Sequence, residues 1–354
     1  MVAKVSGHIE EDQLQEALES TVKSQVMLRS RVELHKKNLQ FIVEENLVPQ
    51  LKVLKRKGES HWKDAVEEEL KDEVSVESFP LWRFTWLKGE EEHEFLMTFN
   101  HLLSDGRSGV NFFKILLRKL DQPETALNEN SLFPSYEKQL KKTHGLVKSF
   151  KQKYSAFRNY QQAKKHEWFQ LRACHEKEGA TAVESRVIDS DDLNRLLKSC
   201  KENEVTISTY LSAVMSEVFS ENTKKSNSLS LAVDMRPYLK NELSEDIGYF
   251  VTSVDLIKDK DYSGDKWTLA QKYKKRLHSQ LNHSQFKFDV LMRSLAIKAG
   301  KDNIKFRDLI RDVLNNSMLL TNIGKINIRS EYKNFKLKHC FHVPSVHLMG
   351  LPFI

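Results

Sequence analysis

Apolar positions along the chain switch between two spacings, and the switches mark the elements. Over 11–32 they recur every three or four residues, at Leu14, Ala17, Leu18, Val22 and Val26, which predicts an amphipathic helix with Asp12 able to cap its start. Short apolar runs at 41–43 and 52–54 predict strands, and Ser60 opens a predicted helix to residue 70. Residues 81–99 read as a hairpin: an aromatic and β-branched run, a turn at 88–92, and a return strand on which Phe95, Met97 and Phe99 alternate. Helical spacing returns over 108–120, with Ser108 as cap and Val110, Phe113, Leu116, Leu117 and Leu120 on the apolar side.

From 121 to 180 apolar positions thin out, Pro123 and Pro134 interrupt, and a basic, aromatic run spans 137–177; this predicts an exposed helical connector. A second unit begins near Ala182. It has a predicted strand at 182–188, a helix capped by Ser190 to residue 200, a helix capped by Thr206 over 207–219, and strands at 229–233 and 251–257. Helices are predicted at 266–281, 288–299 and 306–315, then strands at 318–322, 327–329 and 336–342. The pattern divides the chain into an N-terminal lobe (1–125), a connector (126–181) and a C-terminal lobe (182–354), with helices and strands mixed in both lobes.

Composition narrows the class. Of the residues, 40% are hydrophobic and 30% charged, so a core can form and disorder is excluded. No apolar run is long enough to span a bilayer and no secretory leader is recognisable, so an intracellular, cytoplasmic protein is expected. Cys174, Cys200 and Cys340 are odd in number and far apart, which suits reduced thiols. The net charge is +7, but 56 basic residues are interleaved with 49 acidic ones and no groove-reading motif accompanies them, so nucleic acid is not the expected partner. His339, Cys340 and His342, with His347 nearby, do not match a compact zinc motif, and no metal is expected.

The candidate chemistry lies directly after the hairpin, in Asn100-His101-Leu102-Leu103-Ser104-Asp105-Gly106. His101 sits on a connection, where a side chain can face a cleft, and a neutral imidazole can take a proton near pH 7. Asp105 can bond back across the loop or pair with a distant cation, and Gly106 permits a positive φ or a close backbone approach. As bare spacing this is weak, because a lone loop histidine is more often structural than catalytic.

Several segments in order add to it, and with them the chain resembles the coenzyme-A-dependent acyltransferase superfamily: chloramphenicol acetyltransferase, alcohol acyltransferases, wax-ester-forming enzymes and the condensation domains of nonribosomal peptide synthetases. His-x-x-x-Asp-Gly after a strand is that group's signature. Val5-Ser6-Gly7-His8-Ile9, with Leu28-Arg29-Ser30-Arg31, is similar to its opening unit; Val233-Asp234-Met235-Arg236-Pro237 to its second-lobe arginine motif; Ile247-Gly248-Tyr249-Phe250-Val251 to the segment that follows; and Leu320-Thr321-Asn322-Ile323-Gly324 to its late Ser-Asn-x-Gly strand. The resemblance implies an α/β fold of two lobes in a V with a channel between them. It implies that His101 is the general base for attack of a hydroxyl or amine on a thioester without an acyl-enzyme, and that Asp105 pairs with Arg236 to fix the loop. It further implies that Asn100, Ser104, Thr321 and Asn322 line the channel, with Thr321 and Asn322 near the oxyanion. The co-substrate would be acyl-CoA or an acyl-phosphopantetheine, with no permanently bound cofactor. The partners would be a small-molecule acceptor and an acyl carrier protein, and one monomer would suffice.

The chain departs from the pattern at Asn100, which stands where many members carry a first histidine, and the Asp-Phe-Gly-Trp-Gly motif of the plant branch is absent. It opens on the first motif and closes soon after the Asn-x-Gly segment, so a shortened second lobe and a more open channel are expected. The alternatives are a condensation-like binding module without turnover and a basic scaffold that docks acidic partners through 137–177.

Overall fold

A computed structural model describes residues 1–35, 38–72, 74–133, 182–223, 226–239, 243, 245–281 and 318–344. In chain order the first part runs β1 (Val2–Gly7), α1 (Glu11–Ser24), β2 (Ser30–His35), β3 (Asn38–Val43), β4 (Leu51–Lys55), α2 (His61–Lys71), β5 (Trp82–Lys88), β6 (Glu92–Phe99) and α3 (Gly106–Asp121). The second part carries α4 (Ser190–Glu202), α5 (Ile207–Thr223), β7 (Asn227–Asp234), β8 (Val251–Lys258), α6 (Lys266–Gln280), β9 (Met318–Leu320) and β10 (Phe335–Phe341). The fold is mixed α/β, built on two main sheets.

The first sheet has the order β10-β1-β6-β5-β4, with β4 parallel to β5 and the other pairs antiparallel. Both its faces are covered. Ala3, Val5, Phe84, Trp86, Phe95 and Met97 point to one side, against Leu14, Leu18, Phe112, Phe113 and Leu116 of α1 and α3. Val2, Leu87 and Leu96 point to the other, against Trp62 and Val66 of α2. Successive strand residues face opposite ways, so a doubly covered sheet makes consecutive positions such as Phe95, Leu96 and Met97 all buried. The second sheet has the order β8-β7-β9 and packs Leu229, Leu231, Val254 and Leu256 against Ala213 of α5 and Leu269, Ala270 and Tyr273 of α6.

The last strand crosses between lobes. β10 comes from the segment assigned to the C-terminal lobe, yet it pairs with β1 along the edge of the first sheet (Val2↔Phe341, Ala3↔Cys340). The 182–354 segment therefore contributes to both sheets, and Trp62 of α2 stacks on Phe341 at 5.0 Å.

Several expected boundaries move for local reasons. The predicted 11–32 helix ends at Ser24; Gln25 is extended, and a 3-10 turn at Val26–Arg29 leads into β2. The turn's groups find other partners: Val26 N–H donates to Asn130 Oδ1 at 2.8 Å, and Leu28 O accepts from the Trp82 indole at 2.7 Å. Asp12 lies inside the first turn of α1 rather than at its cap, where it complements the helix dipole, and Ser60 makes no side-chain capping bond. The caps of α3 and α4 are Asp105 and Asp189, not Ser108 and Ser190; each aspartate accepts from a backbone N–H three residues on, at 2.8 Å. Thr206 does cap α5, accepting from Thr209 N at 3.2 Å.

Residues 182–188 are not a strand. Val183 N–H is taken by Glu67 Oε1 at 2.8 Å, and Val187 and Ile188 stand 72% and 57% exposed. The alternation there has no sheet face to serve among the described residues. Nor do 327–329 form a strand. The basic run at 137–177 and the predicted helices at 288–299 and 306–315 lie outside the described residues, as does Cys174. Among the described residues no helix is long and apolar enough to cross a membrane.

Candidate functional site

β6 ends at Phe99, and the next residues fold back on themselves before α3 begins. Asn100 builds that reversal. Its backbone N–H donates to Leu81 O at 2.9 Å, its Oδ1 accepts from Leu102 N at 2.9 Å, and its Nδ2 donates to Val74 O at 2.7 Å. The side chain is buried and both ends of its amide are engaged, so Asn100 holds the loop. Ser104 is buried too, with its Oγ on Asp105 O at 3.3 Å.

His101 is half-buried, and its Nδ1 lies 3.1 Å from Ser104 O. A carbonyl oxygen can only accept, so Nδ1 carries the hydrogen and Nε2 keeps a lone pair. The contribution of Ser104 to the site is thus its carbonyl, which sets the tautomer. The His101 ring meets Phe99 edge-on at 6.5 Å and, from the second part of the chain, Tyr249 at 5.9 Å.

Asp105 and Arg236 pair as expected, although 131 residues separate them. Asp105 Oδ2 and Oδ1 accept from Arg236 Nη1 and Nη2, each at 3.3 Å, with both side chains buried. The carboxylate also accepts Ser108 N at 2.8 Å and Phe250 N at 2.7 Å, so one group caps α3, holds the arginine and anchors the second lobe. Arg236 reaches Asp234 Oδ1 at 3.0 Å and Ser108 Oγ at 2.6 Å and lies over the Phe250 ring at 4.4 Å; its Nε has no hydrogen-bond partner among the described residues. Ser108 Oγ in turn donates to Gly248 O at 2.7 Å and accepts from Gly248 N at 3.1 Å. Asp234, Ser108 and the 248–250 backbone thus complete a buried junction that sequence reasoning missed. Ser108 was legible only as a local cap, and nothing in its sequence neighbourhood points across 140 residues.

Gly106 answers to close approach rather than to a positive φ, since it does not adopt the left-handed region. A Cβ there would lie 3.0 Å from both His342 Nε2 and Ile323 Cγ2. Beside it, Arg107 donates to Ile323 O at 3.2 Å and lies 3.6 Å from Asp234.

Thr321 is half-buried and Asn322 exposed. Asn322 Nδ2 donates to Ser208 Oγ at 2.9 Å and its Oδ1 accepts from Gly324 N at 2.9 Å, so both ends of the amide are engaged. His342 packs against Gly106, and burial, with the Met1 amino group and then His101 adding to it, pushes its imidazole down to about 3. His339, by contrast, is exposed, and among the described residues no three histidine, cysteine or acidic side chains come together as a metal-ligand group.

Comparisons with known proteins agree with this architecture. The condensation domain family model matches residues 1–332. Among curated proteins no sequence relative matches. Among solved structures, the cyclization-docking bidomain of the EpoB nonribosomal peptide synthetase from Sorangium cellulosum is 17% identical, over 90% of this chain and 65% of that one, with a TM-score of 0.60. The first condensation domain of the calcium-dependent antibiotic synthetase, solved with a substrate analogue, is 15% identical over 80% of this chain and 68% of its own (TM-score 0.58). Polyketide synthase associated protein 5 from Mycobacterium tuberculosis is 12% identical over 96% and 80% (TM-score 0.56). At these identities the structures share the fold. The family model covers most of the chain: the chain belongs to the condensation domain family, whose members transfer acyl groups.

Proposed function

We propose that the chain transfers an acyl group from a coenzyme-A or carrier-protein thioester to an amine or hydroxyl, with His101 as general base. The observation that carries this is the His101 hydrogen bond: with Nδ1–H given to Ser104 O, the basic form of the ring keeps its lone pair on Nε2, and the ring meets Tyr249 of the second lobe at 5.9 Å. As the nucleophile attacks the thioester carbonyl, its proton passes to Nε2. The C–S bond then breaks, and the departing thiolate takes that proton from the imidazolium, so no acyl-enzyme is needed. Asp105 and Arg236 do not reach the substrate; they hold the loop that aims His101. The test is a panel of acyl-CoA and acyl-pantetheine donors against amines and alcohols. Wild type should exceed His101→Ala by about 10²–10⁴ in rate, the usual worth of a general base. Equal rates reject the reading.

One observation favours the second reading, a condensation-type module without turnover. Asn100 gives one N–H of its amide to the Val74 carbonyl and Asn322 gives one of its own to Ser208, so each amide is held by the protein and keeps at most one N–H for an oxyanion. On that reading the panel gives no wild-type turnover while thioester binding persists.

A further inference from the structure

Tyr249 brings a second-lobe ring to His101, and the mechanism above gives it no role. Both of its neighbours are clamped to the start of α3. Gly248 donates its N–H to Ser108 Oγ at 3.1 Å, and its carbonyl accepts the Ser108 hydroxyl at 2.7 Å. Phe250 N–H donates to Asp105 Oδ2 at 2.7 Å, and Phe250 O accepts from Met235 N–H at 2.7 Å. The rings of Phe250 and Phe133 close over Gly248, where a Cβ would meet them at 2.6 and 2.8 Å. The 248–250 backbone is therefore held on either side of Tyr249. Phe250 is buried in the junction, whereas Tyr249 is half-buried and its ring meets the imidazole.

From its own lobe the His101 ring has one hydrogen bond, Nδ1–H to Ser104 O at 3.1 Å, and one ring neighbour, Phe99, at 6.5 Å and 76°. Tyr249 adds a second ring at 5.9 Å and 83°. A single neutral hydrogen bond on a half-buried ring competes with water. An edge-to-face aromatic contact is of comparable strength and depends on the planes of both rings. The hydrogen bond decides which nitrogen carries the hydrogen, and the two perpendicular rings restrict the plane in which the imidazole lies. We infer that Tyr249 is a positioning residue: its ring, supplied by the second lobe, keeps the His101 imidazole on Ser104 O with the lone pair on Nε2. The base is thus aimed when 248–250 is docked on α3. The consequence for rate rests on the transferase reading, but the orientation is read without turnover.

Tyr249→Leu keeps apolar bulk and removes the ring; Tyr249→Phe keeps the ring and removes the hydroxyl. Nitrogen-15 NMR of the full chain at about pH 8.5, where an ordinary imidazole is neutral, reads the His101 tautomer. Its signals are assigned as those lost in His101→Ala. Wild type and Tyr249→Phe should show one tautomer, with the hydrogen on Nδ1. In Tyr249→Leu the two nitrogen signals should draw together, as the ring leaves Ser104 O and exchanges between tautomers. In the transfer assay Tyr249→Leu should lower kcat by about three- to tenfold with KM unchanged, and Tyr249→Phe should stay within about twofold of wild type. The proposal is overturned if Tyr249→Leu keeps the single tautomer, if Tyr249→Phe loses it as Tyr249→Leu does, or if Tyr249→Leu changes KM and leaves kcat alone. The transferase reading fails separately, when wild type and His101→Ala give equal transfer while the tautomer pattern stands.

Discussion

Replacing Asp105 with alanine should destabilise the protein by about 4 kcal/mol, and the figure follows from what the carboxylate holds. Its loss leaves the Arg236 guanidinium buried, and stripping one partner from a buried ion pair costs about 3–5 kcal/mol. Asp234 Oδ1 at 3.0 Å and Ser108 Oγ at 2.6 Å still accept from that guanidinium, which draws the ionic part toward the lower end. Against this, Ser108 N and Phe250 N lose their acceptor. The first loss is that of a helix cap, about 1 kcal/mol; the second orphans a buried N–H, at about 1–3 kcal/mol, in part the same desolvation counted over again. Urea unfolding checks the sum: the midpoint should fall with an unchanged slope, leaving a folded protein of reduced margin, given domain stabilities of about 5–15 kcal/mol. The diagnostic variant is Asp105→Leu combined with Arg236→Met. Removing both charges leaves no buried ion of the pair uncompensated, while Ser108 N and Phe250 N lack their acceptor in the single and double variants alike, so the double variant should be more stable than the two single losses predict, by about 2 kcal/mol or more. A cost for Asp105→Ala below about 1 kcal/mol, or strict additivity in the double variant, would refute the claim that this pair fastens the loop to the second lobe.

Gly106→Ala should cost about 1–3 kcal/mol in urea unfolding, because the new methyl lies 3.0 Å from His342 Nε2 and Ile323 Cγ2 and both must shift. Ser108→Ala removes an acceptor from Arg236 and both links to Gly248; thermal unfolding should drop by an amount equivalent to about 1–3 kcal/mol, whereas an ordinary cap serine would cost about 1. Two histidines make stability depend on pH. Burial lowers His93 and takes His342 to about 3, so both bind protons in the unfolded chain first. Their contribution is intact above the unfolded value of about 6.5 and is lost as pH falls below it, so urea midpoints at pH 7.5 and 5.5 should differ less in His342→Leu than in wild type. Cys340, raised by burial to about 11, should resist alkylation at pH 8 in the native protein and react once urea unfolds it.

What the sequence made legible is what depends on near neighbours. The β5–β6 hairpin, the spans of α2, α5 and α6, and the strands at the ends of the motif segments follow from spacing and turn residues that act over a few positions. Asp105 and Arg236 could be joined only through the family resemblance, because spacing along the chain carries no information about a contact 131 residues away. The failures have the same origin. Ser108 was read as a cap since a serine at a helix start usually is one; the actual cap lies three residues earlier, and that frees the hydroxyl for the second lobe. The 182–188 alternation was read as a strand, but alternation makes a strand only where a sheet edge receives it, and Glu67 takes the Val183 N–H instead. β10 shows the opposite case: its sequence was recognised, its sheet was not, and that assignment decides the chemistry. On a second-lobe sheet, His342 would have been one histidine of a poor metal motif. On the edge of the first sheet its ring packs against Gly106, which explains why a methyl at position 106 would meet Nε2 and Cδ2 at 3.0 and 3.1 Å and the ring would have to give way.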